Sequence, residues 1–122
     1  MSMVHRLVAG SALAAGLLGA FGCQADYAAD VTNKTAVPLT VALVSRASIG
    51  PVSQASKRLG PGDRAFLGPI RNARGRGAYI VFDTLPNPGR PTTVELLADS
   101  TSYFEVRLDG DRNDAPLIVI PK

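Results

Sequence analysis

The chain holds one histidine, His5, one cysteine, Cys23, and no tryptophan. His5 precedes a long apolar run, so everything after residue 23 lacks both imidazole and thiol. That removes Ser–His and Cys–His nucleophile pairs, zinc sites built on His or Cys, and histidine acid–base work. Carboxylates are the remaining candidates. Glu95 and Glu105 fall on two apolar alternations and face each other if these form a hairpin, and paired carboxylates can split their pKa values for acid–base catalysis. The simpler reading of the same residues is a solvated pair neutralised by Arg107. Asp109, Asp111 and Asn113 have the alternate oxygen spacing of a calcium loop. Asp114 stands where such a loop has glycine, and Ile120 where it has a bidentate Glu, so a polar turn accounts for the string as well. On this inventory the reading is a non-enzymatic protein, with calcium as its one candidate cofactor.

Charge is unevenly spread. Lys57, Arg58, Arg64, Arg71, Arg74 and Arg76 are opposed only by Asp63 within their own stretch, whereas seven acids face four bases from Gly77 onward. The densest piece contains Arg71, Arg74 and Arg76. Guanidinium forks pair with phosphate and carboxylate, so this segment can grip lipid headgroups, acidic glycans or an acidic protein face. A short solvated loop explains the same composition. No aromatic residue is interleaved to stack bases, and nucleic acid is not an expected partner.

The elements that would hold these residues are strands. After the leader, roughly 99 residues remain, enough for one domain with a modest core. Short apolar alternations separated by Gly and Pro clusters recur, and no window keeps a capped helical period. The expectation is an all-β fold of about seven strands, an antiparallel sandwich of immunoglobulin-like or transthyretin-like type. Strands are expected from Val31, clearly over Val37–Val44, then over Gln54–Leu59 and Arg64–Ile70 around the turn Gly60-Pro61-Gly62-Asp63. Ser45–Val52 reads as a loop. Ala78–Thr84 is the expected central strand, and Leu85–Pro91 a turn or crossover. Thr92–Ala98 and Ser102–Leu108 read as a hairpin with the odd-length loop Asp99–Thr101, because that register alone sets Leu96 against Phe104 and Val94 against Val106. Pro116–Ile120 closes the chain as a last strand.

Ahead of this domain, Leu7–Phe21 carries no charge and follows Arg6. It is shorter than the run of about 18 to 20 residues a stable membrane-spanning helix needs, which reads as a cleaved export signal. Gly19, Ala20, Phe21, Gly22 and Cys23 close it, and here the chain resembles the signal of bacterial lipoproteins in its loose form. That resemblance implies a diacylglyceryl group on the Cys23 thiol, cleavage before Cys23 and acylation of the new amino terminus. Gln24, in place of the Asp that holds such proteins at the inner membrane, leans towards an outer membrane facing the periplasm. Ordinary cleavage after Ala25 is the alternative and leaves a soluble periplasmic or secreted protein. The expected layout is a signal peptide at 1–22, a lipid-anchored tether at 23–30 and a β-sandwich at 31–122. Either cleavage leaves no disulfide within the mature chain, so packing must hold the fold. Two functions follow: a membrane-tethered envelope lipoprotein serving as a binding or assembly module for another envelope protein, or a soluble sandwich that binds an anionic ligand through Arg71–Arg76.

Overall fold

The computed structural model describes residues 23–85, 89–112 and 115–122. The expected signal peptide lies outside the described residues, as do Asn113 and the centre of the Leu85–Pro91 connection. Eight strands form two four-stranded sheets. In chain order they are β1 (Gln24–Asn33), β2 (Leu39–Ala47), β3 (Gly50–Leu59), β4 (Arg64–Ala73), β5 (Ala78–Thr84), β6 (Thr92–Glu95), β7 (Ser100–Leu108) and β8 (Leu117–Pro121). Sheet A has the order β4-β1-β7-β8 and sheet B the order β3-β2-β5-β6. The all-β sandwich is therefore as expected, with β5 inside its sheet between β2 and β6.

Three details differ from the sequence reading. Of the expected tether at 23–30, all but Cys23 belongs to strand β1, because Ala25, Tyr27, Ala29 and Val31 turn into the core while Gln24 and Asp26 stay outside. It is paired on both edges, antiparallel to β4 and parallel to β7. Ser45–Val52 is not a loop but the end of a long hairpin, with Ala47 opposite Gly50 across a two-residue turn at Ser48-Ile49. The expected β6–β7 hairpin does not form: β6 pairs with β5 in sheet B, while β7 lies in sheet A between β1 and β8. The inward choice was nonetheless right, since Leu96, Phe104 and Val106 are buried. Alternation decides which side chains turn inward; it does not decide which sheet their strand joins.

The core fills the space between the sheets. Leu39, Leu43, Ile80 and Phe82 from sheet B meet Val31, Leu67, Phe104 and Val106 from sheet A. The Phe82 and Phe104 rings touch edge to face, with centroids 5.7 Å apart and planes at 78°, a geometry that places one ring's positive edge on the other's negative face. At Gly68 the backbone of β1, its neighbour in sheet A, and the Leu43 side chain of sheet B leave no room for a side chain. Its φ is +99°, and a Cβ there would lie 2.7 Å from the Tyr27 carbonyl oxygen and 3.2 Å from Leu43. The β1–β4 register shifts at this point, between Tyr27 and Ala29, as a bulge does when one strand must bend.

One polar group is sealed into the far end of this core. Asn33, fully buried, donates from Nδ2 to the carbonyls of Val37 (2.9 Å), Leu59 (3.2 Å) and Gly60 (3.1 Å). Its Oδ1 accepts from the backbone N–H of Thr35 (2.9 Å) and from the Thr35 hydroxyl (2.7 Å). Its backbone N–H donates to the Asp63 carbonyl and its carbonyl accepts from Gly62, each at 2.8 Å. A single residue thus joins the end of β1, the start of β2 and the Gly60-Pro61-Gly62-Asp63 turn, which carries the chain from sheet B to sheet A. Asn33→Ala leaves several buried partners unsatisfied, each worth about 1–3 kcal/mol, so a loss of at least about 3 kcal/mol is expected in urea unfolding. A loss below about 1 kcal/mol would contradict this role.

Candidate functional site

The candidate catalytic carboxylates are separated by the sandwich itself. Glu95 ends β6 in sheet B, where Arg46 of β2 grips it with both terminal guanidinium nitrogens. Arg46 also lies over the Tyr79 ring, 4.6 Å from its centroid. Glu105 sits on β7 in sheet A, only 8% exposed, with Arg107 Nε at 2.5 Å and Lys122 Nζ at 3.2 Å. The two acids belong to different sheets and each is held by cations of its own, so they form no pair. The hydrogen bond from Arg46 holds the Glu95 carboxyl below its ordinary range. Those from Arg107 and then Lys122 do the same for Glu105.

The basic stretch is also largely spoken for. Arg71, near the end of β4, reaches Asp26 of β1 at 3.2 Å. Arg74 pairs with Asp99, whose carboxyl is lowered first by that contact and then by the backbone N–H of Asp26. Arg76 is exposed, and no ion pair to it forms among the described residues. Asp99 itself has a φ of +57°, a left-handed conformation that Asp tolerates better than most residues. Its backbone N–H donates to the Asp26 carbonyl at 2.8 Å, fixing the step from β6 into β7 against the start of β1.

Asp109 and Asp111 lie exposed in the β7–β8 connection, where the Asp109 N–H donates to the Pro116 carbonyl at 2.8 Å. Asn113, the third expected calcium ligand, is outside the described residues. Among the described residues no group of three His, Cys, Asp or Glu side chains gathers as a metal site.

Cys23 is exposed and immediately precedes β1. Its carbonyl accepts the backbone N–H of Arg74, and Gln24 is already in register with Ala73. On the sheet B side, Asn72 of β4 donates from Nδ2 to the carbonyls of Arg46 (2.9 Å) and Gly77 (2.8 Å). These bonds bring Cys23, the Arg74-Gly75-Arg76 turn, the Ser48-Ile49 tip and the Leu97–Asp99 crossover to one pole of the sandwich. Asn33 and the Gly60–Asp63 turn occupy the other.

A surface that sequence reasoning missed lies on the outer face of sheet A. The registers align Phe66, Asp30 and Tyr103 in one row across β4, β1 and β7, and place Glu105 opposite Ile120 and Arg107 opposite Ile118. Phe66, Tyr103, Ile118 and Ile120 are all substantially exposed. Asp30 among them is held by Arg64 through two bonds of 2.7 and 2.8 Å. The signal available in the sequence was β8 itself: a wholly apolar strand must turn half of its side chains away from the core.

No family model matches the chain, and no curated protein matches it in sequence. Among solved structures it is similar to the T6SS lipoprotein TssJ1 from Pseudomonas aeruginosa, at 12% identity and a TM-score of 0.48, over 80% of this chain and 97% of that one.

Glu95, Asp99 and Glu105 all have lowered pKa values, so the folded state favours their charged forms. The stability they add is complete above the ordinary carboxylate range and is lost as pH falls through about 4 and below. The thermal midpoint is expected to stay level from neutrality to about pH 5 and to drop below about pH 4. Glu105→Gln should lie lower at neutral pH and fall less steeply in acid. A midpoint that rises on acidification would contradict the assignment.

Proposed function

We propose that the protein is an envelope lipoprotein, cut before Cys23, lipidated there, and acting as a non-enzymatic binding or assembly module. The observation that carries this reading is the position of Ala25. It is 2% exposed, belongs to the core and is in register with Asn72, while Gln24 is in register with Ala73. Cleavage after Ala25 would remove the first two residues of β1 from a sandwich that uses them. Cleavage before Cys23 leaves the strand whole and puts the thiol at its root, exposed to modification. Several acyl chains anchor far more firmly than one, because each buried methylene contributes about 0.8 kcal/mol.

The non-enzymatic part of the reading is supported by what has become of the chemistry. Glu95 and Glu105 are committed to separate cationic partners, and Arg71 and Arg74 to carboxylates of the same chain. Their energetic value at the surface is small, but paired groups are poor bases and poor anion sites. The exposed aromatic and aliphatic side chains on the outer face of sheet A are the kind of surface used for contact with another protein. Gln24 favours the outer membrane as the place of anchoring, with the domain facing the periplasm.

The full chain expressed in a lipoprotein-processing bacterium is expected to fractionate with membranes, with an intact mass showing cleavage before Cys23 plus acyl chains. Cys23→Ser should abolish both the added mass and the membrane association. An unmodified soluble chain beginning at Asp26 would contradict the reading.

A further inference from the structure

We infer that the pole carrying Cys23 lies directly on the bilayer, with Ile49 and Leu97 entering the headgroup region and Arg76 meeting lipid phosphate. The inference rests on Cys23 being acylated as proposed above. Its first support is the length of chain available. A residue spans at most about 3.5 Å, and no residue separates Cys23 from β1, whose first member is in register with Ala73. The Cys23 carbonyl is bonded to the Arg74 N–H, within the Arg74-Gly75-Arg76 turn. An acylated sulfur held in the interface therefore brings that turn to within a few ångströms of the lipid.

The second support is what the pole presents. Ile49, at the tip of the β2–β3 hairpin, is 89% exposed, and Leu97, on the β6–β7 crossover, is 71% exposed. These are the two most exposed large apolar side chains among the described residues, and both sit at this end. Apolar tips beside basic residues are the composition of surfaces that rest in a membrane interface. Arg46, Arg71, Arg74 and Arg76 gather here against Asp26, Glu95 and Asp99, and each of the three acids is held by one of the first three arginines. Among the described residues of this pole no uncompensated negative charge is left to oppose an anionic surface. Arg76 remains for phosphate, which its guanidinium can bind through two parallel hydrogen bonds.

The chain has no tryptophan, so a single introduced indole reports its own surroundings. Full-length Ile49→Trp and Pro61→Trp, the latter at the opposite pole, would be purified from membranes and checked by intact mass. Each would then be reconstituted into phosphatidylethanolamine–phosphatidylglycerol vesicles with and without brominated acyl chains. With acylated Cys23, strong bromine quenching and blue-shifted emission at position 49 and neither at position 61 are expected. Adding Arg76→Glu to Ile49→Trp, a change of two charges, should lower the docking equilibrium roughly thirtyfold, at about 1 kcal/mol per charge near an anionic surface. Acylated protein whose indole is equally unquenched at both positions would overturn the docking while leaving the tether standing, as it would if the pole instead faced an acidic protein. Absence of acyl mass would overturn both. Quenching at 49 indifferent to Arg76→Glu would overturn the part assigned to Arg76.

Discussion

Everything in this sandwich depends on β1 being bonded along both edges. It runs antiparallel to β4 and parallel to β7, and a parallel neighbour cannot be reached by a tight turn. The chain must therefore lay down all of sheet B before β7 can close sheet A beside β1. The first strand waits for the seventh, and most contacts that stabilise it are distant in sequence. Two polar devices fix its ends. Asn33 seals the far end by bonding three carbonyls and Thr35, and the reciprocal contacts of Asp26 with Asp99 fix the near end to the entry of β7.

The same constraint shapes the chemistry. Strands that cross between sheets carry their charges to different faces, so acids that are near in sequence, such as Glu95 and Glu105, finish in different sheets with separate cations. The basic run from Arg71 to Arg76 bends around the near pole, where two of its three arginines meet carboxylates supplied by β1 and the β6–β7 crossover. What survives for interaction is position: a pole rooted at Cys23 and an outer face on sheet A with apolar side chains set among paired charges.

Much of this was legible in the sequence. Alternation identified the inward residues around β6 and along β7, the apolar run of Ala78–Thr84 marked β5 as a central strand, and the Gly60-Pro61-Gly62-Asp63 turn was visible from its residue types. Strand β1 was not. Its inward positions are Ala25, Tyr27, Ala29 and Val31, and alanine beside aspartate reads as a polar link because small side chains carry little strand signal of their own. They are small where the backbone of Gly68 approaches Tyr27 and Ala28, a tertiary requirement with no local trace. The β6–β7 error has a similar root. Register arguments apply only once two strands are known to be neighbours, and the crossover at Asp99 depends on a left-handed conformation stabilised by Asp26, about seventy residues away.

The most direct test is native-state hydrogen exchange resolved to the amides of residues 25–31 in the membrane-derived protein. If β1 is the doubly paired strand on which the sandwich closes, its ladder amides exchange only with global unfolding, at the same free energy as those of β5. Exchange at the rate of an unstructured peptide, with β5 still protected, would make the segment a free tether and contradict the account.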